Sequence, residues 1–192
     1  MLVTKPVAII GASSFGRLVR ALVADCGRTF GGFLDDYNSG DEIIGSLEKL
    51  REPGLPDRLD LVLAIGYLHL EARIAIFHRA LEHGFHFPAL IHPRAYVSSA
   101  AELGPGCIVM ASASVDAFAQ IGGACVLWPG SVVSHDAWVG ENTFVSPNAT
   151  ICGFSRVGQS SFLGAGCTLV DNVDLPPSSF VKAAQRVSQS RT

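Results

Sequence analysis

The sequence predicts two folds in tandem: an α/β, Rossmann-like domain over residues 1–90 and a left-handed parallel β-helix of about five coils over 91–180, with a tail over 181–192. Three observations carry this. Residues 1–90 hold 20 of the 31 charged side chains, although the remainder of the chain is longer, so the two parts must bury their apolar surface differently. Within the first part, short apolar runs alternate with amphipathic stretches. From Ile91 onward an aliphatic residue recurs at every sixth position without a slip.

In chain order, the first part offers a strand at VAII (7–10), a helical pattern from Phe15 to about Ala24, and a strand in FGGFLDD (30–36). LVLAIG (61–66) and a second helical pattern from about Leu70 to His83 follow. Strands alternating with helices imply a parallel sheet. Between Tyr37 and Asp60 the chain is loop-rich, with Pro53, Gly54 and Pro56 and a short helix around Ser46 to Arg51. The turn Gly11-Ala12-Ser13-Ser14-Phe15-Gly16 leaves a strand and opens a helix, which aims backbone N–H groups and the helix dipole at an anion. It is not the dinucleotide fingerprint, because a serine stands where that motif needs its second close-approach glycine. Asp35 and Asp36 close the second strand, where they either accept hydrogen bonds from a ribose or base or form an acid-rich turn before Tyr37-Asn38-Ser39-Gly40.

The second part is explained by its period. Steps of six give Ile91, Val97, Leu103, Val109, Val115, Ile121, Leu127, Val133, Val139, Val145, Ile151, Val157, Leu163, Leu169 and Leu175. If such residues fill about a quarter of an average chain, this run has a chance probability on the order of one in a billion. Four residues after each stands a small side chain, from Ala95 to Ser179, with Val173 the exception. Each six-residue step therefore makes one flat side of a triangular prism, with the aliphatic residue inside and the small residue near a tight corner. Cys107, Cys125 and Cys167 fall in the small inward slot, where a thiol acts as a small hydrophobe. Met110, Phe118, Trp128, Trp138, Phe144, Phe154 and Phe162 fall outside the interior positions, and so much apolar surface predicts prisms packed side by side as a homotrimer.

Composition excludes several classes. Fourteen basic against 17 acidic residues give a net charge of -3, no footprint for nucleic acid or an anionic membrane. No apolar run reaches the roughly 18 to 20 residues that span a bilayer, and the start of the chain has too short an apolar stretch for a signal peptide, so a cytoplasmic location is expected. Five cysteines, an odd number without a C-x-x-C pair, read as reduced thiols. His69, His78, His83, His86 and His92 show no metal-ligand spacing, and no metal is expected.

His135 is third in the step that begins at Val133, so it stands on the outer surface, and Asp136 follows it. Adjacent side chains on an extended strand point apart, so only a corner bend could bring the pair together. At this point the chain resembles the bacterial hexapeptide-repeat sugar acyltransferases, in the group of sialic-acid O-acetyltransferases and nucleotide-amino-sugar N-acetyltransferases. The resemblance runs through IIGASSFGRLV, GGFLDD, LAIG, GFHFPALIHPRAYVS, SVVSHDAWVGENTFVSPNATICG and FLGAGCTLVDNV. It implies a trimer with sites between subunits, an acyl-CoA co-substrate, usually acetyl-CoA, and a sugar acceptor often linked to a nucleotide. It also implies His135 as general base with Asp136 orienting it, since a thioester is attacked by an amine or hydroxyl whose proton must leave. Gly153 aligns with a glycine that approaches the thioester end of CoA, although a glycine at a coil corner also has a plain structural reason. Phe144 stands where the group often has a histidine near the acyl chain, and Gly11, Ser13, Ser14, Asp35 and Asp36 lie near the nucleotide. Phe15 and the C-terminal Lys182 and Ala184 depart from the group's usual residues.

The resemblance favours an N-acyltransferase acting by direct transfer on an amino-deoxy sugar. Sugar O-acetylation is the alternative that uses the same histidine. A non-catalytic dinucleotide-binding module on a trimeric β-helix is a third, weakened by the glycine turn.

Overall fold

The structure is a computed structural model that describes residues 4–188. It divides into two compact units, Met1–Leu90 and Ile91–Thr192.

The first unit is built on a four-stranded parallel sheet. Strand β1 (Val7–Ile10) lies between β2 (Phe30–Leu34) and β4 (Asp60–Leu63), and β3 (Ile43–Gly45) forms the edge beyond β2. Every residue of β1 is buried, as expected for a central strand that reads as an unbroken apolar run, and β4, although it ends the sheet and opens with Asp60, is buried throughout as well. Helix α1 (Ser14–Asp25) buries Phe15, Val19, Leu22 and Val23, one face at helical spacing, and α3 (Leu70–Glu82) buries Arg73, Phe77 and Ala80. Between them lies the single-turn α2 (Leu55–Arg58). The loop-rich segment does contain the short helix, a 3-10 turn over Leu47–Arg51 whose Ser46 hydroxyl accepts from the Glu48 N–H at 3.4 Å. It also contains β3, which the sequence reading missed. Gly16 is dictated by packing: a Cβ there would lie 2.1 Å from the Gly11 carbonyl oxygen.

The second unit is the β-helix. Two-residue strands recur every six residues, and each pairs in parallel with the strand one coil on: Gln120 with Trp138 and then Arg156, Val126 with Phe144 and then Phe162, Val132 with Thr150 and then Thr168. Three sheets result, one for each side of the prism. The interior is the aliphatic series from Val97 onward, with Cys107, Ala113, Ala119, Cys125, Ala137, Ala149 and Cys167 in the small slots, whereas Ile91, at the start of the first coil, is exposed. Cys107 and Cys125 donate their thiols to the carbonyls of Gly122 and Gly140, each at 3.2 Å, and burial pushes the Cys167 thiol up to about 11. These are inert core thiols.

At each corner the chain must turn within a single residue. Positive φ recurs at every sixth position from Gly106 to Ala184, a conformation that costs a non-glycine residue about 1–2 kcal/mol. The ladder does not end at residue 180. Val181 and Val187 keep the aliphatic phase, and strands Phe180–Val181 and Arg186–Val187 pair with Phe162–Leu163 and Thr168–Leu169. Most of the segment expected as a tail therefore belongs to the solenoid; residues 189–192 lie outside the described residues.

Candidate active site

The corner that follows strand Val132–Val133 carries His135 and Asp136. Asp136 is the residue in the left-handed conformation, at φ 57°, and this bend is what turns two sequence neighbours toward each other. His135 Nδ1 and Asp136 Oδ2 are 2.9 Å apart. An ionised carboxylate can only accept, so Nδ1 is the donor in this contact, and in the neutral ring it is Nε2 that is left to accept. Both side chains reach solvent, at 56% and 41% exposure.

One coil on, Gly153 and Phe154 complete the surroundings of the imidazole. A Cβ on Gly153 would lie 2.9 Å from His135 Cε1 and 3.0 Å from Nε2, so the ring occupies the space a side chain would fill. Gly153 shares the turn at this corner with Phe154, and it is Phe154, at φ 57°, that takes the left-handed conformation, so Gly153 is not required there by a positive φ. The Phe154 ring stands edge-to-face on His135, with centroids 5.2 Å apart and planes at 85°. Cys152 precedes Gly153 in the chain, and burial, and after it the charge of Asp171, pushes its thiol up.

Phe144 is not brought to this corner. It belongs to the sheet of Val126 and Phe162, whereas His135 lies at the edge where the other two sheets meet, and at 1% exposure it offers a ligand no surface.

In the first unit, a cavity of about 680 Å³ brings together Gly11, Ser13, Asp35 and Asp36. Ser14 is not in its wall; it opens α1. Asp35 is not a free acceptor. Its Oδ2 accepts from the Ala12 N–H at 2.7 Å, and its Oδ1 accepts from the N–H groups of Tyr37 and Asn38, both at 2.8 Å, and from the Asn38 amide at 3.1 Å. Burial pushes the Asp35 carboxyl up, but these donors together outweigh it and hold the group below the usual carboxylate range. Asp35 thus ties the glycine turn to the turn after β2. Asp36 accepts from the Leu47 N–H at 2.7 Å through Oδ1 and faces the cavity. The sequence reading missed Tyr37, which is 97% exposed beside the cavity, and the face His69, Ala72, Ile76 and Arg79. The signal for that face was the three-to-four spacing of these residues within and beside the second helical pattern, which by itself names no ligand.

Comparison with known proteins follows the same division. Residues 6–80 match the PglD N-terminal domain family, and residues 118–153 match the bacterial transferase hexapeptide family. The acetyltransferase domain of PglB from Neisseria gonorrhoeae is 30% identical, with a TM-score of 0.90 over 96% of this chain and 92% of that one. This chain belongs to the hexapeptide-repeat sugar acyltransferases. A histidine-to-asparagine mutant of perosamine N-acetyltransferase from Caulobacter crescentus, solved with CoA and GDP-perosamine, is 28% identical to this acyltransferase, with a TM-score of 0.90 over 96% of this chain and 89% of that one. The Neisseria domain, solved with acetyl coenzyme A, superimposes with a TM-score of 0.83 over 95% of this acyltransferase and 98% of that chain, at 30% identity. No curated protein sequence matches it. Among the described residues, no helix is long and apolar enough to cross a membrane, and no group of three potential metal ligands is present.

Proposed function

We propose that this acyltransferase is an acetyl-CoA-dependent N-acetyltransferase acting on an amino-deoxy sugar carried on a nucleotide. The observation that carries the reading is the His135–Asp136 pair: a tautomer fixed through Nδ1, with Nε2 open and Gly153 leaving the ring its space. The Neisseria and Caulobacter relatives, solved with acetyl coenzyme A and with CoA plus GDP-perosamine, support the choice of both substrates.

As the sugar amine bonds to the thioester carbonyl carbon, His135 Nε2 accepts the proton that the nitrogen must lose. The imidazolium is stabilised by Asp136 and returns that proton to the departing sulfur when the C–S bond breaks, so an amide and a free thiol result. No acyl group is carried on the protein. The cavity beside Asp36 holds the nucleotide, and the working form is a cytoplasmic homotrimer with sites between subunits.

The test is a mass-spectrometric screen of acetyl-CoA with nucleotide-linked amino-deoxy sugars and free sialic acid, using the wild type and His135→Ala. A gain of one acetyl group on an amine, lost with His135, is the expected result, because general-base help is worth about 10² to 10⁴ in rate. A loss below about tenfold refutes His135 as the base. Transfer only to a hydroxyl would give the O-acetyltransferase reading. No product and no acetyl-CoA binding, with NAD(H) raising the melting temperature, would give the scaffold reading.

A further inference from the structure

The corners of the β-helix contain a pattern that the fold by itself does not require. From Gly106 to Ala184 the positive-φ positions hold glycine, serine, alanine, asparagine or aspartate, with two exceptions, Phe118 at φ 65° and Phe154 at φ 57°. A bulky side chain in this conformation is a true outlier. Both exceptions lie on the prism edge that carries Asp136, one coil before it and one coil after it, and they are 63% and 54% exposed. Strain of this kind persists where the surroundings hold it in place, and it gathers at functional sites.

At Phe154 the structure shows what the ring does. It meets the His135 imidazole edge-to-face at 5.2 Å, while the Phe154 N–H donates to the His135 carbonyl oxygen at 3.3 Å. Asp136 holds Nδ1 and Gly153 underlies Cε1 and Nε2. Phe154 is a third neighbour that limits rotation of a ring that is 56% exposed. We propose that Phe154 is a positioning residue for the reaction: its strained corner is retained because the phenyl ring locks His135 in the orientation that aims Nε2 at the acceptor. The inference rests on the reading of His135 as the base. A base that must meet one proton within hydrogen-bond reach loses rate steeply when its rotamer is free.

The experiment pairs Phe154→Asn with its conservative counterpart Phe154→Tyr in the full-length chain. Asparagine tolerates the left-handed conformation, so Phe154→Asn is expected to leave the Tm equal or raised while kcat falls about tenfold or more. KM for both substrates stays within about twofold, the signature of an interaction used only in the transition state. Phe154→Tyr keeps kcat within about threefold. In a His135→Ala background, Phe154→Asn lowers the residual rate by less than about twofold, because the ring acts through the imidazole. A kcat within about threefold for Phe154→Asn overturns the proposal, as does an undiminished loss in the His135→Ala background. So does a lower Tm accompanied by a raised KM, which would assign the ring to packing. If His135→Ala itself keeps its activity, the base assignment fails first, and that result is distinct from the others.

Discussion

Gly153→Ala isolates the contribution of one missing methyl group. The new Cβ would lie 2.9 Å from His135 Cε1 and 3.0 Å from Nε2, whereas carbon atoms in comfortable contact are about 3.5–4.0 Å apart. The backbone of Gly153 is not in the left-handed region, so alanine fits the chain and only the imidazole has to give way. Relief requires the ring to move by roughly 0.5–1 Å, and a misplacement of about 1 Å costs on the order of 10²-fold in rate, equal to about 2.7 kcal/mol of transition-state stabilisation. Stability should change by less than about 1 kcal/mol, since the added methyl reduces the freedom of the unfolded chain. The assay is steady-state release of the CoA thiol together with calorimetric titration of acetyl-CoA. The expected outcome is a large fall in kcat with acetyl-CoA affinity retained. A kcat within about threefold of wild type would refute the steric argument, and a collapse of acetyl-CoA binding would show instead that the glycine serves the thioester directly.

Three further outcomes follow from the same geometry. Asp136→Asn keeps an acceptor for Nδ1 but removes the charge that stabilises the imidazolium, so kcat should fall at least about tenfold while far-UV circular dichroism is unchanged. Asp35→Asn should lower the Tm at pH 7, since a hydrogen bond to a charged group contributes about 1.5–3 kcal/mol. Because the folded carboxyl lies below its unfolded value, that contribution is complete above the unfolded pKa and disappears as pH falls through the folded one, so the two Tm curves should converge in strong acid. Val145→Asp places an unpaired charge where the wild-type side chain is 0% exposed. It should cost several kcal/mol and yield insoluble protein, checked by the soluble fraction on expression.

The interior of the β-helix was legible because a six-residue phase leaves no freedom: once Val109 points inward, Val115 and Ile121 must also do so. The corners were not legible in the same way. Asp136 tolerates the left-handed bend, but Phe154 takes the same conformation against its preference, and the coil geometry overrides local preference there. Strand β3 was missed because Ile43-Ile44-Gly45 is too short to show alternation and lies at the sheet edge. Asp35 stood between two readings because a carboxylate after a strand looks the same whether it meets a ligand or its own backbone; the donors from Ala12, Tyr37 and Asn38 show that its oxygens serve the turn. Phe144 shows a third limit, since the phase tells which way a side chain leaves the prism and nothing of what packs over it.

The uninterrupted six-residue step also makes this half of the protein quantised in length. Inserting one residue before His135 would turn every later aliphatic side chain out of the prism. Inserting six would preserve the interior yet rotate the remaining chain by a third of a turn, carrying His135 and Asp136 onto another edge. Only a whole coil, the spacing that joins Gln120 to Trp138, restores both interior and edge, and it displaces the pair along the axis by about 4.8 Å, one strand spacing. The distance of the base from the end of the solenoid can therefore change only in coil-sized increments.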